Sequence, residues 1–105
     1  MKNKSHGIRV SGLGIVAAAA LFSNAGAQEP LKIGLILPYS GQFADTATQM
    51  DNGIKLYMQK HGDTVAGRKI EIIRKDTGGV APDVAKRLAQ ELVVRDGVDI
   101  LAGFV

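Results

Sequence analysis

The side chains able to do chemistry are few in this chain, and their spacing suits recognition better than catalysis. There is no Cys, and the two His are His6 and His61. His6 lies in a basic leader and His61 closes a helical pattern, so neither a metal cluster nor a His-based nucleophilic set can be assembled. Asp45 and Asp76 each stand beside a turn, but nothing in their spacing makes the carboxylate pair that general acid–base work requires. Asp76 reads as a cap for the turn after it, with contact to a ligand amine as the alternative. A dinucleotide loop needs G-x-G-x-x-G after the first strand, where only Gly41 occurs, and no phosphate-cradling Gly-Lys-Ser/Thr exists. Neither catalysis nor a cofactor is expected. What remains is the run Leu31-Lys-Ile-Gly-Leu-Ile-Leu-Pro-Tyr-Ser-Gly-Gln-Phe-Ala-Asp45, with Tyr39, Ser40 and Phe43 on one short turn and Thr46 just after it. Beyond residue 27 there are only four aromatics, Tyr39, Phe43, Tyr57 and Phe104, so two on one turn are informative.

The first 27 residues are set apart before composition is read. Lys2, Lys4 and Arg9 precede any acid, Leu13 to Phe22 form a short apolar run, and Ala25-Gly26-Ala27 gives a small-x-small cleavage pattern. Residues 1–27 therefore read as a cleavable signal peptide, the apolar run being shorter than the roughly 20 residues of a bilayer span. Those three cations account for the whole net charge of +3, and the rest of the chain is balanced. With no basic patch, nucleic acid is excluded as a partner. The missing Cys excludes a disulfide framework and a lipid anchor at the cleavage site, so a soluble exported protein is expected.

The elements that position the turn follow from hydrophobic period. Leu31, Ile33, Leu35, Ile36 and Leu37, ended by Pro38, read as a strand buried on both faces. From Thr46 to His61, Ala47, Met50, Ile54, Tyr57 and Met58 make a helical stripe, with Asp45 or Thr46 as N-cap and Gly62 as stop. Gly53 within it is expected to allow close packing on the sheet. Lys69–Lys75 reads as a second strand whose charges suit an edge. A second helix opens at Pro82 or Asp83, buries Val84, Leu88 and Leu92, and ends at Gly97. Val98–Val105 is the third strand. The alternation β-α-β-α-β predicts an α/β fold with a parallel sheet in the order 2-1-3 and right-handed crossovers, the helices lying on opposite faces.

In such a sheet the loops after the first and third strands diverge and open a crevice at the strands' C-terminal rim. Tyr39, Phe43 and Phe104 are expected at that rim, with Ser40 and Thr46 where the loop feeds the helix and amides favour an anion. The plainer alternative has Phe104 in the core, Phe43 stapling the helix, and Ser40 and Thr46 acting as caps.

These residues resemble the periplasmic substrate-binding proteins of ABC transporters, of the leucine/isoleucine/valine type. Residues 31–44 are similar to the family's opening strand and Ser/Thr-Gly turn, and Asn52-Gly53-Ile54 to its first helix. Ala66-Gly67-Arg68-Lys69-Ile70 resembles the approach to its second strand, Asp76 with Pro82 its Asp-to-Pro loop, and Val98-Asp99-Ile100-Leu101-Ala102-Gly103 its third strand. Gln42 stands where many members have Pro, and His61-Gly62-Asp63-Thr64-Val65 replaces an Asn-Ala-Gly-Gly-like link. The resemblance implies a Rossmann-like lobe of a two-lobe type I periplasmic binding protein, residues 28–105 being the front part of its N-terminal lobe. It implies a periplasmic receptor, not an enzyme, that delivers a small carboxylate-bearing ligand, an amino acid or an aromatic acid, to a membrane permease. Ligand contacts would come from Tyr39, Ser40, Phe43, Thr46 and Phe104, with no metal. An exported α/β enzyme with its catalytic residues elsewhere and a sensory domain of the same fold are the alternatives.

Overall fold

The apolar run becomes β1, Leu31–Leu37, the strand around which the others assemble. The structure is a computed structural model that describes residues 28–104 together with Gly12. Apart from Gly12, the proposed leader lies outside the described residues, as does its cleavage site. Along the chain β1 is followed by α1 (Ala44–His61), β2 (Thr64–Val65), β3 (Arg68–Asp76), α2 (Pro82–Val94) and β4 (Ile100–Gly103). The sheet order is β2-β3-β1-β4. β1 runs parallel to β3, from Leu31 opposite Ile70 to Leu37 opposite Asp76, and parallel to β4, from Ile33 opposite Ile100 to Ile36 opposite Gly103. The expected order 2-1-3 is therefore the arrangement of β3, β1 and β4.

Because side chains alternate along a strand, β1 feeds two cores at once. Leu35 and Leu37 pack with Ala47 of α1, joined by Tyr39, Ile54, Ile72 and Ala102. On the opposite face Ile36 packs with Leu88 and Leu92 of α2, joined by Ile73, Val84, Ala85, Ala89, Val98 and Leu101. Ile36, Leu37 and Leu92 are fully buried, each contributing about 1.5–3 kcal/mol of hydrophobic stabilisation. No described helix is long and apolar enough to cross a membrane.

Five expectations about the elements are corrected. β2 is an additional two-residue strand, antiparallel to β3, in the stretch read as a link. Ala66 and Gly67 join the two with φ of 49° and 78°, the positive pair that a tight two-residue hairpin turn demands. α1 starts at Ala44, with Phe43 at the N-cap and no side-chain cap bond, rather than at Asp45 or Thr46. Its inner stripe also differs: Met50 and Tyr57 are exposed, while Ala47 and Asp51 are buried and Ile54 and Met58 half-buried. Residues 47, 51, 54 and 58 hold the helical period better than the purely apolar set, so a charge occupies an inward position. Gly53 faces open space and permits no close approach. β4 is shorter than Val98–Val105; Asp99, just before it, turns outward to Arg68 and to the Lys32 amide.

Candidate functional site

Three loops leave the C-terminal rim from neighbouring carbonyls of β1. The Leu37 carbonyl accepts from the amides of Tyr39 at 3.0 Å and Thr77 at 3.1 Å, and the Ile36 carbonyl accepts from Phe104 at 3.0 Å. The turn after β1, the loop after β3 and the end of β4 are thereby gathered on one strand end, which is where the crevice of an open parallel sheet lies.

Asp76, the last residue of β3, ties two of these loops together. Its Oδ2 accepts from Ser40 Oγ at 2.6 Å, and its Oδ1 accepts from the Ser40 amide at 3.2 Å and the Gly78 amide at 2.7 Å. The Ser40 hydroxyl above all, and then the Gly78 amide, hold the Asp76 carboxyl below its ordinary value. The expectation that Asp76 caps the next turn is met at Gly78; its grip on Ser40 was not legible, because the two residues meet only through the β1–β3 register. Gly41 completes the contact. It sits at φ 81°, and a Cβ there would come within 2.6 Å of the Gly78 carbonyl, so the loops touch backbone to backbone.

Tyr39 follows Pro38, itself fully buried, and its ring lies against the core beneath α1. The Tyr39 hydroxyl is buried without a hydrogen-bond partner. Burial raises its pKa, and the nearby Asp51 carboxylate raises it further. Asp51 is only 5% exposed and accepts from Arg74 Nε at 2.8 Å, with Lys55 Nζ at 3.0 Å. Burial pushes the Asp51 pKa up, but the bonds from Lys55 and Arg74 outweigh it and hold the carboxyl low. The sequence signal for this group was the period of α1, which carries Asp51 onto the stripe of Ala47 and Ile54, facing a strand that offers Arg74.

The remaining expected site residues are accessible. Phe43 is 37% exposed; its backbone starts α1, its carbonyl accepting from the Ala47 amide at 3.1 Å. Thr46 lies exposed in the first turn, where helical amides lack intrahelical acceptors. Phe104 is 52% exposed and holds φ 71°, a left-handed conformation that costs a residue with a Cβ roughly 1–2 kcal/mol. With Thr77, Val80, Pro82, Ala85 and Lys86 it lines a cavity of about 410 Å³ on the α2 side. Tyr39 faces the α1 side, so the rim aromatics divide between the two faces of the sheet. Away from the rim, the rings of Tyr57 and His61 pack with centroids 4.4 Å apart. No group of three His, Cys, Asp or Glu able to hold a metal occurs among the described residues.

Residues 30–105 match the family described as periplasmic binding protein. The chain is 39% identical over 89 residues to a Leu/Ile/Val-binding protein homolog of Brucella abortus, across 85% of this chain and 23% of that one. It is 59% identical, with a TM-score of 0.68, to the solute-binding protein of an ABC transporter from Rhodopseudomonas palustris BisB5, solved with 3,4-dihydroxybenzoic acid; the match covers 71% of this chain and 20% of that one. A branched-chain amino acid transporter protein from R. palustris CGA009 is 35% identical, with a TM-score of 0.62, over 70% and 20%. The chain thus spans less than a quarter of each relative's length.

Proposed function

The chain belongs to the periplasmic binding protein family, and from that premise we propose that it is part of an extracytoplasmic solute receptor that binds a small carboxylate-bearing ligand and presents it to an ABC transporter permease. The relatives divide over ligand, one of them carrying a dihydroxybenzoic acid and another described for branched-chain amino acids. We favour an aromatic acid. The observation that carries this is the 59% identity to the protein solved with 3,4-dihydroxybenzoic acid.

In this reading Phe43 and Phe104 offer exposed ring faces to the apolar part of the ligand. Tyr39 supports the turn from below with the inner edge of its ring. The polar end of the ligand meets Thr46 and the first-turn amides of α1, where the helix dipole favours a carboxylate. Ser40 acts through the turn it holds, since both its O–H and its N–H are given to Asp76. Binding closes the crevice, and the closed form docks on the permease.

Titration calorimetry of the intact protein with 3,4-dihydroxybenzoate, catechol and leucine tests the reading. The acid is expected to bind, catechol to lose most of the affinity because it lacks the carboxylate, and leucine to bind more weakly than the acid. Tightest binding by leucine would overturn the aromatic assignment, and no binding by either acid would overturn the receptor reading.

A further inference from the structure

We propose that Asp76 is a positioning residue for ligand binding, locking the turn after β1 to the loop after β3 so that the recognition surface is preformed rather than ordered by the ligand. The proposal rests on the receptor reading for its consequence and on the geometry for its cause. Three donors converge on one carboxylate: Ser40 Oγ–H, Ser40 N–H and Gly78 N–H. Two belong to the turn that carries Tyr39 and Phe43, and the third belongs to the loop after β3. Next to this bond network, Gly41 packs so closely on the Gly78 carbonyl that no side chain fits between. Remove the carboxylate, and the polar link left among the described residues lies at the base of the loops, where the Leu37 carbonyl accepts from the Tyr39 and Thr77 amides.

The clamp also shapes which ligands fit. A carboxylate has about four lone-pair sites, and three are occupied here, so little capacity is left for the ammonium group of an amino acid. The same bonds withdraw the Ser40 donors from an incoming carboxylate, which must find its own donors farther along, toward Thr46. A preformed loop binds more tightly than one that must be ordered, because the ordering cost falls on folding instead of binding.

Asp76→Asn tests this. The amide keeps one acceptor oxygen for the Ser40 and Gly78 amides, but toward the Ser40 hydroxyl it can only donate, so the charge-assisted bond gives way to a weaker, reversed one without loss of volume. The dissociation constant of the intact protein for 3,4-dihydroxybenzoate is expected to rise about three- to tenfold, the size of one charge-assisted bond at an accessible site. Ser40→Ala is expected to weaken binding less. The double variant is expected to bind no worse than Asp76→Asn alone, because both changes break one shared contact. A merely structural carboxylate would lower the melting temperature yet leave the dissociation constant and this coupling untouched, and that outcome overturns the proposal. Should Asp76→Asn fail to fold, Ser40→Ala alone decides the matter through the same dissociation constant. Should the unmodified protein bind none of the acids, the receptor reading fails, and amide hydrogen exchange then decides the clamp. Faster exchange at Ser40 and Gly78 in Asp76→Asn, with Leu35 unchanged, supports it; unchanged exchange at both overturns it.

Discussion

The two faces of the sheet solve the same packing problem differently. On the α2 face contact is apolar and close: Leu88 and Leu92 lie on Ile36, and a Cβ on Gly34 would come within 2.8 Å of Leu92 Cδ1. On the α1 face a small residue, Ala47, meets Leu35 and Leu37, and the next inward position is filled by Asp51, bound to Arg74 and Lys55. The α2 face derives its strength from burial and gains nothing from charge until its far end, where Lys75 lies 3.7 Å from both Glu91 and Asp96. The α1 face gives up apolar area for an ion group directly beneath the turn that carries Tyr39 and Ser40. The two faces of one strand thus reach their stability by different means.

Leu92→Ala should break this contrast most severely. It empties a fully buried position and is expected to cost about 3 kcal/mol, read as a lower midpoint of urea unfolding in the intact protein. Gly34→Ala comes next, at about 1.5 kcal/mol, because the new methyl must displace Leu92 and Leu101 within a packed core. A stabilising result would show that the α2 face has slack. Asp51→Asn should cost about 1 kcal/mol, a modest figure because Arg74 and Lys55 reach water. Its signature is in the pH dependence. A carboxyl with a lowered native pKa contributes stability that is present above its ordinary value of 3.8 and is lost as pH falls through the lower native value. The variant should therefore show a flatter acid limb, and an unchanged limb would remove Asp51 from the account of this face. The smallest effect is a gain: Gly53→Ala, exposed in α1 with nothing near its Cβ, should stabilise by about 0.5–1 kcal/mol, read as a raised melting temperature.

Those two glycines mark what sequence reading could reach. β1 and its central place were legible because an unbroken apolar run admits few other roles, and α2 was legible because Val84, Leu88 and Leu92 repeat between a Pro and a Gly. Gly34 and Gly53 look alike in sequence, and only the packing shows that one is needed for close approach and the other is not. β2 escaped notice because two exposed residues carry no period. The start of α1 was misjudged because Phe43 begins the helix with its backbone alone, leaving Asp45 and Thr46 as the better-looking caps. At the rim, Tyr39, Ser40, Phe43, Thr46 and Phe104 could be placed near one strand end from topology. Their division was not legible: Tyr39 on the α1 side and Phe104 on the α2 side follow from a buried Pro38 and a left-handed φ at Phe104, neither of which has a sequence signature.

The central position of β1 has a consequence for how the chain comes to be folded. Its partners lie at Ile70 and beyond on one side and at Ile100 and beyond on the other. The most apolar strand is thus synthesised before either partner, and meets β3 only after α1 and β4 only after α2. Such distant pairings slow folding, since the loops between them must close before any contact rewards it. During that interval the segment from Leu31 to Leu37 is an unpaired, largely apolar stretch broken only by Lys32 and Gly34, of the kind that seeks other chains. The vulnerable moment of this protein therefore precedes its native state, and a holding chaperone or slow chain delivery would protect β1 until its neighbours arrive.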